Sequence, residues 1–118
     1  MDNFKQTRLH PDILKAITEM GFETPTPIQA KTIPHLMASA HDLIATAQTG
    51  TGKTAAFGLP SIHLTDMEDR RTQTLVLCPT RELCMQITKD LGNFSKYING
   101  MNILAVYGGA SIQAQIKS

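Results

Sequence analysis

Apolar residues recur at helical spacing in some stretches of the chain and run together without a break in others. Ile13, Leu14, Ile17 and Met20 fall on one face of a short amphipathic helix. His10, Pro11 and Asp12 open it, with proline at the first helical position, and Gly21 stops it. Gly21 to Pro27 holds two prolines and is expected to be an ordered loop, with Thr26 capping a second helix that begins at Pro27. Ile33 and Pro34 fall inside that helix. A proline there removes a hydrogen bond and pushes its predecessor off helical geometry, so a kink or two short helices are expected.

The unbroken runs have a different meaning. Leu43, Ile44, Ala45, Thr46 and Ala47 end in Gly50 and Gly52, after which Lys53 to Leu64 reads as helix through Ala55, Ala56, Phe57 and Ile62. Asp66 to Gln73 is a charged surface connection. Thr74 to Cys78 is a second apolar run, bounded by Pro79, as a buried parallel strand would be. Arg81 to Tyr97 follows with Leu83, Ile87, Leu91 and Phe94 at helical spacing, Asn99 and Gly100 turn the chain, and Asn102 to Tyr107 is a third apolar run. Strand starts near 43, 75 and 102 recur about every thirty residues, the spacing of βαβ units in a parallel sheet. The pattern predicts an α/β fold in which a glycine loop joins the first strand to its helix.

A length of 118 residues fits one domain or part of one. The net charge of +1 excludes a basic nucleic-acid tail and an acidic solvating one, so any polyanion must be held locally. Apolar residues at 42% permit a packed core. No apolar stretch approaches the roughly 18–20 residues that span a bilayer. Met1 to Lys5 shows no secretory leader, which points to the cytoplasm. Cys78, Cys84 and scattered histidines suggest neither a disulfide framework nor a zinc site, and the expectation is two reduced core thiols.

Ala47, Gln48, Thr49, Gly50, Thr51, Gly52, Lys53 and Thr54 match the P-loop pattern, except that Ala47 stands where the pattern has its first glycine. Backbone N–H groups of such a loop converge with the positive end of the following helix and hold phosphate oxygens. Lys53 would reach the β and γ phosphates of ATP or ADP, and the Thr54 hydroxyl would take one position on Mg²⁺. The plainer alternative is a tight turn with a solvated lysine. Gly-x-Gly-Lys-Thr arises by chance in a chain of this length only about a few times per thousand, and the strand before and helix after reduce that further.

Gln29 has a structural explanation, since Thr26-x-x-Gln29 is a capping box. Yet Gly21, Phe22, Glu23, Thr24, Pro25, Thr26, Pro27, Ile28 and Gln29 closely resemble the Q motif of DEAD-box RNA helicases, and Phe4 stands 17 residues before Gly21, where that family has an isolated aromatic. A glutamine amide can pair with adenine N6 and N7 together, and an aromatic ring can stack on the base. Pro79, Thr80, Arg81, Glu82 and Leu83 resemble the family's motif Ia, and Gly108 and Gly109 its GG element. Both fall at carboxyl ends of predicted strands, the edge where open α/β sheets bind ligands. The resemblance runs from Phe4 to about Ser111.

The resemblance implies a RecA-like P-loop NTPase fold, of which residues 1–41 form the Q-motif region and 42–118 the first part of the ATP-binding domain. It implies that Phe4, Phe22, Thr24 and Gln29 join residues 47–54 on the nucleotide. Pro79, Thr80, Arg81, Gly108 and Gly109 would lie along the backbone of single-stranded or duplex RNA, although Thr80 as a helix cap and the glycines as a turn explain the same residues. Lys53 and Thr54 would be the catalytic residues present. The family's TPGR, DEAD and SAT segments and its second domain do not occur in these residues. The sheet is therefore expected to be incomplete, with its first three strands only, and the chain alone to be inactive in hydrolysis. Completion is expected from the rest of the same enzyme or from association of copies. Two alternatives remain: a nucleotide- and RNA-binding piece without turnover, and a P-loop enzyme of another kind, against which the proline-rich loop ending in Gln29 argues.

Overall fold

The computed structural model describes residues 2–109 and 112–117. Met1, Ala110, Ser111 and Ser118, including the positions where the resemblance and the chain end, lie outside the described residues. Among the described residues a 3₁₀ turn, Phe4–Thr7, precedes five helices: α1 (Pro11–Glu19), α2 (Pro27–Ala38), α3 (Lys53–Leu64), α4 (Arg81–Phe94) and α5 (Ile112–Lys117).

Local chemistry sets most of these boundaries. The His10 side chain accepts from the Asp12 N–H at 3.1 Å to cap α1, and Gly21, at φ +87°, turns the chain out of it. Thr26 and Gln29 form the complete capping box of α2. That helix continues through Pro34 rather than ending as two short helices. Proline deletes one N–H, while Thr32 and Ile33 are anchored in the core on the same turn and hold the helix in place. α4 stops three residues short of the expected Tyr97, where the Ser95 hydroxyl donates to Leu91 O at 2.8 Å and competes with the helical ladder.

The core joins Phe4, Leu9, Ile13, Ile17, Ile33, Ala55, Leu59, Ile62 and Phe94 from the 3₁₀ turn and α1 to α4. Gly58 lets α3 approach α4 closely, since a Cβ there would stand 2.6 Å from Leu91 Cδ2. Polar links tie the rim. The His10 N–H donates to His63 Nδ1 at 3.0 Å, joining the start of α1 to the end of α3. Tyr97 Oη donates to both Glu19 carboxylate oxygens at 2.5 and 2.6 Å, and Lys96 Nζ lies 2.6 Å from the same carboxylate.

The expected three strands are not seen. Among the described residues no segment is a strand, and residues 43–47, 74–78 and 102–107 carry no ladder. A strand exists only through N–H and C=O groups shared with a neighbour, and these runs share none with one another. The second and third runs keep the period-two pattern of strands all the same, while residues 43–46 are all exposed. Val76, Cys78, Ile103, Ala105 and Tyr107 are half-buried, while Leu75, Leu77, Leu104 and Val106 are 79%, 85%, 46% and 65% exposed. One side of each of these two runs is thus partly covered and the other is bare. No described helix is long and apolar enough to cross a membrane.

Candidate functional site

The glycine loop and the loop before α2 meet through side-chain bonds to backbone carbonyls. Thr26 Oγ1 donates to Thr51 O at 2.7 Å, Gln29 Nε2 donates to Gly52 O at 3.2 Å, and Thr51 Oγ1 donates to Gln48 O at 2.6 Å. Gln29 Oε1 meanwhile accepts from the Thr26 N–H at 3.0 Å. No peptide here is cis, so the C=O and the following N–H of each plane point in opposite directions. Holding Thr51 O and Gly52 O toward α2 therefore turns the Gly52 and Lys53 N–H groups away from it. Those amides lie at the start of α3, which has no side-chain cap. Uncapped N–H groups at a helix N-terminus attract anions.

The glycines are required by this geometry. Gly50 and Gly52 have φ of +81° and +84°, a region that costs other residues about 1–2 kcal/mol. A Cβ on Gly52 would also collide with Gln29 Nε2. Gln48, Thr49, Gly50 and Lys53 are exposed, whereas Ala47, Thr51, Gly52 and Thr54 are half-buried. Gln29 is only 3% exposed, and its amide keeps one N–H and one lone pair beyond the two bonds it makes.

The other expected nucleotide residues lie differently. Phe4 is 5% exposed and belongs to the core, its ring 5.7 Å from that of Phe22, which in turn meets Phe94 edge-on at 5.9 Å. Thr24 is exposed on the loop between them and α2.

A second set gathers at the start of α4. Thr80 Oγ1 accepts from the Leu83 N–H at 3.2 Å, so the capping explanation for Thr80 holds. Arg81 is exposed and lies against Gly109, where a Cβ would come within 2.7 Å of Arg81 Nη1. Pro79, Thr80 and Gly108 are exposed beside them. The fold thus brings the Pro79–Arg81 segment and the Gly108–Gly109 turn together.

Two features escape the sequence reading. Thr26 links to the glycine loop as well as capping α2, a bond across 25 positions that no local pattern announces. Cys78 and Cys84 are half-buried rather than core residues, because the runs carrying or facing them have one uncovered side. The acidic cluster is as expected a solvated loop. Arg71 holds Asp69 in a two-pronged pair at 2.7 and 3.0 Å, which keeps that carboxyl below its ordinary range, and Gln73 binds the Asp66 backbone at 2.8 and 2.9 Å. No group of three or more His, Cys, Asp or Glu among the described residues could hold a metal ion.

Comparison with known proteins adds to this geometry. The family model described as DEAD/DEAH box helicase matches residues 26–118. An ATP-dependent RNA helicase CshA of Listeria monocytogenes is 50% identical over 118 residues, all of this chain and 22% of that protein. The chain spans about a fifth of the length of the curated relatives it matches. A DEAD box protein from the hyperthermophile Methanococcus jannaschii superposes with a TM-score of 0.85 at 38% identity, covering 98% of this chain and 31% of that one. Dbp5 of S. cerevisiae, bound to RNA and ADP BeF3, superposes with a TM-score of 0.84 at 32% identity, covering 95% of this chain and 30% of that one.

Proposed function

This chain belongs to the DEAD/DEAH box helicase family, and from that premise we propose that it forms the adenine-nucleotide half-site of a cytoplasmic ATP-dependent RNA helicase. The observation that carries the reading is the pair of bonds from Thr26 and Gln29 to Thr51 O and Gly52 O. They fix two peptide planes so that consecutive N–H groups face the space in front of α3. A polyphosphate lying there would meet those amides, the helix N-terminus and Lys53.

In this reading Gln29 does two things with one amide. Half of its hydrogen-bonding capacity orients the glycine loop, and the remaining N–H and lone pair would read adenine N6 and N7. Base recognition and phosphate binding would thereby share a hinge, and a guanine, which offers an acceptor where adenine has its N6 amino group, would leave that lone pair facing another acceptor. Phe22 and Phe4 would support the base side from the core, with Thr24 at its rim. Mg²⁺, when bound, neutralises the charge on the transferred phosphoryl group. Thr54 would give it one oxygen, with phosphates and waters filling its other positions.

Arg81, Thr80, Pro79, Gly108 and Gly109 would form a sequence-independent seat for an RNA backbone, in which Gly109 leaves room for the Arg81 guanidinium. Dbp5, a structural relative, is bound to RNA and ADP BeF3. The present residues alone would bind without turnover. The acidic cluster at Asp66–Asp69 is tied up in its own loop at the far end of α3, a helix of 12 residues and so about 18 Å long. Calorimetric titration of the chain with ADP and with GDP tests the reading. Binding of ADP at least about tenfold tighter than GDP supports it, and equal affinities would sink the adenine assignment.

A further inference from the structure

The third apolar run ends at Tyr107, directly before the Gly108–Gly109 turn. Residues 102–107 carry no ladder, yet both backbone groups of Tyr107 are paired. The Tyr107 N–H donates to Gln115 Oε1 at 2.8 Å, and Tyr107 O accepts from Gln115 Nε2 at 3.1 Å. One side-chain amide thus supplies the acceptor and the donor that a neighbouring strand would offer. Gln115 belongs to α5 and is half-buried. We propose that Gln115 is a positioning residue, which by clamping Tyr107 sets the Gly108–Gly109 turn against Arg81.

The clamp reaches the turn through two peptide planes, both trans. In the plane shared by Val106 and Tyr107, Gln115 holds the N–H, while Val106 O on the opposite side lies 3.9 Å from Cys84 Sγ on α4. The end of the run is therefore held between α4 and α5. In the next plane Tyr107 O is held by α5, so the Gly108 N–H faces away from that helix. Gly109 follows at φ +85° and lies against the Arg81 guanidinium. A thiol is a weak donor, so the Gln115 amide is the stronger of the two ties. Without it the turn can rotate about the Tyr107 and Gly108 dihedrals and carry Gly109 away from Arg81. A seat formed in only a fraction of molecules binds with its affinity reduced by that fraction. This last consequence rests on the RNA reading of the seat, whereas the placement of the turn does not.

The test reads the turn first without RNA, in amide ¹H–¹⁵N spectra. Gln115→Ala should move the Tyr107, Gly108 and Gly109 signals together and leave those of α1 and α2 in place. Gln115→Glu keeps the acceptor for the Tyr107 N–H but loses the donor to Tyr107 O at neutral pH. As pH falls through about 4.3 its carboxyl gains an O–H donor, and the Gly108 and Gly109 signals should return toward those of the wild type at the same pH. This variant carries the test if Gln115→Ala does not fold. Fluorescence anisotropy with a labelled oligouridylate should then show about tenfold weaker binding by Gln115→Ala, the fall in the competent fraction that two hydrogen bonds of ordinary net worth would give. Unmoved Gly108 and Gly109 signals in Gln115→Ala, no recovery of Gln115→Glu at low pH, or undiminished oligouridylate binding by Gln115→Ala would each overturn the proposal. A wild-type chain that does not bind oligouridylate would instead sink the RNA reading of the seat, and the spectra would still decide the role of Gln115.

Discussion

Replacing Gln29 by alanine removes the donor that holds Gly52 O and the acceptor that holds the Thr26 N–H, two bonds of 3.2 and 3.0 Å made by a side chain 3% exposed. The Thr26 N–H is left unpaired, which costs about 1 kcal/mol for a half-buried group, whereas Gly52 O keeps the bond it accepts from the Ala56 N–H at 3.1 Å and loses only the net worth of its second one. The total is about 1.5–2.5 kcal/mol, which includes the loss of the capping box. For a chain of 118 residues the unfolding entropy translates this into a fall in Tm of about 6–10 °C. Gln29→Glu separates the two bonds. It keeps an acceptor for Thr26 but sets an oxygen against Gly52 O, so it should hold the cap of α2 while releasing the glycine loop. Thermal melts with and without ADP give the readout. Gln29→Glu is expected to lose most of the ADP-induced shift, and Gln29→Ala to lose both shift and stability. An alanine variant with wild-type Tm and a wild-type ADP shift would refute the coupling of Gln29 to the loop.

Gly52→Ala combines left-handed backbone strain with a collision against the Gln29 amide, whereas Gly50→Ala, with open space at its Cβ, carries the strain alone. Both should lose about 1–2 kcal/mol, and Gly52→Ala should lose more in a urea melt; equal losses would remove the collision from the explanation. His63 has its pKa lowered from 6.5 by burial and secondarily by His10, so the unfolded chain binds that proton more readily. Stability is then complete above about pH 6.5 and falls as pH drops through 6.5 toward the folded value. His63→Asn, which keeps an acceptor for the His10 N–H without titrating, should flatten that part of the Tm-versus-pH curve, and an unchanged slope would assign it elsewhere. Glu19 is held below the ordinary carboxylate range by Lys96 first and Tyr97 second. This stabilisation is present above pH 4.5 and lost as pH falls through the folded value, so Tyr97→Phe should lower Tm slightly at neutral pH and not at all once Glu19 is protonated.

What the sequence reveals follows from how local each cause is. The Thr26–Gln29 capping box and the Lys53–Leu64 helix are written within a few residues of themselves, and both were legible. The proline at 34 does not split α2, because its cost is local while the packing of Ile33 that offsets it is not. Residues 74–78 and 102–107 carry the alternation of strands, but a ladder belongs to two runs at once, and no single run states its neighbour. The glycine loop and the helix after it could be read from residues 47–54. That Thr26, 25 positions earlier, orients one of its peptide planes could not.

The most direct measurement of the proposed nucleotide site is an amide ¹H–¹⁵N NMR titration of the chain with ADP, with GDP alongside. With ADP the backbone signals of Gly50, Gly52 and Lys53 and the side-chain amide of Gln29 should shift together along one binding curve, and with GDP the Gln29 amide should stay near its free position. ADP shifts confined to residues away from 47–54, or identical Gln29 shifts with both nucleotides, would contradict an adenine site built by Gln29 on the glycine loop.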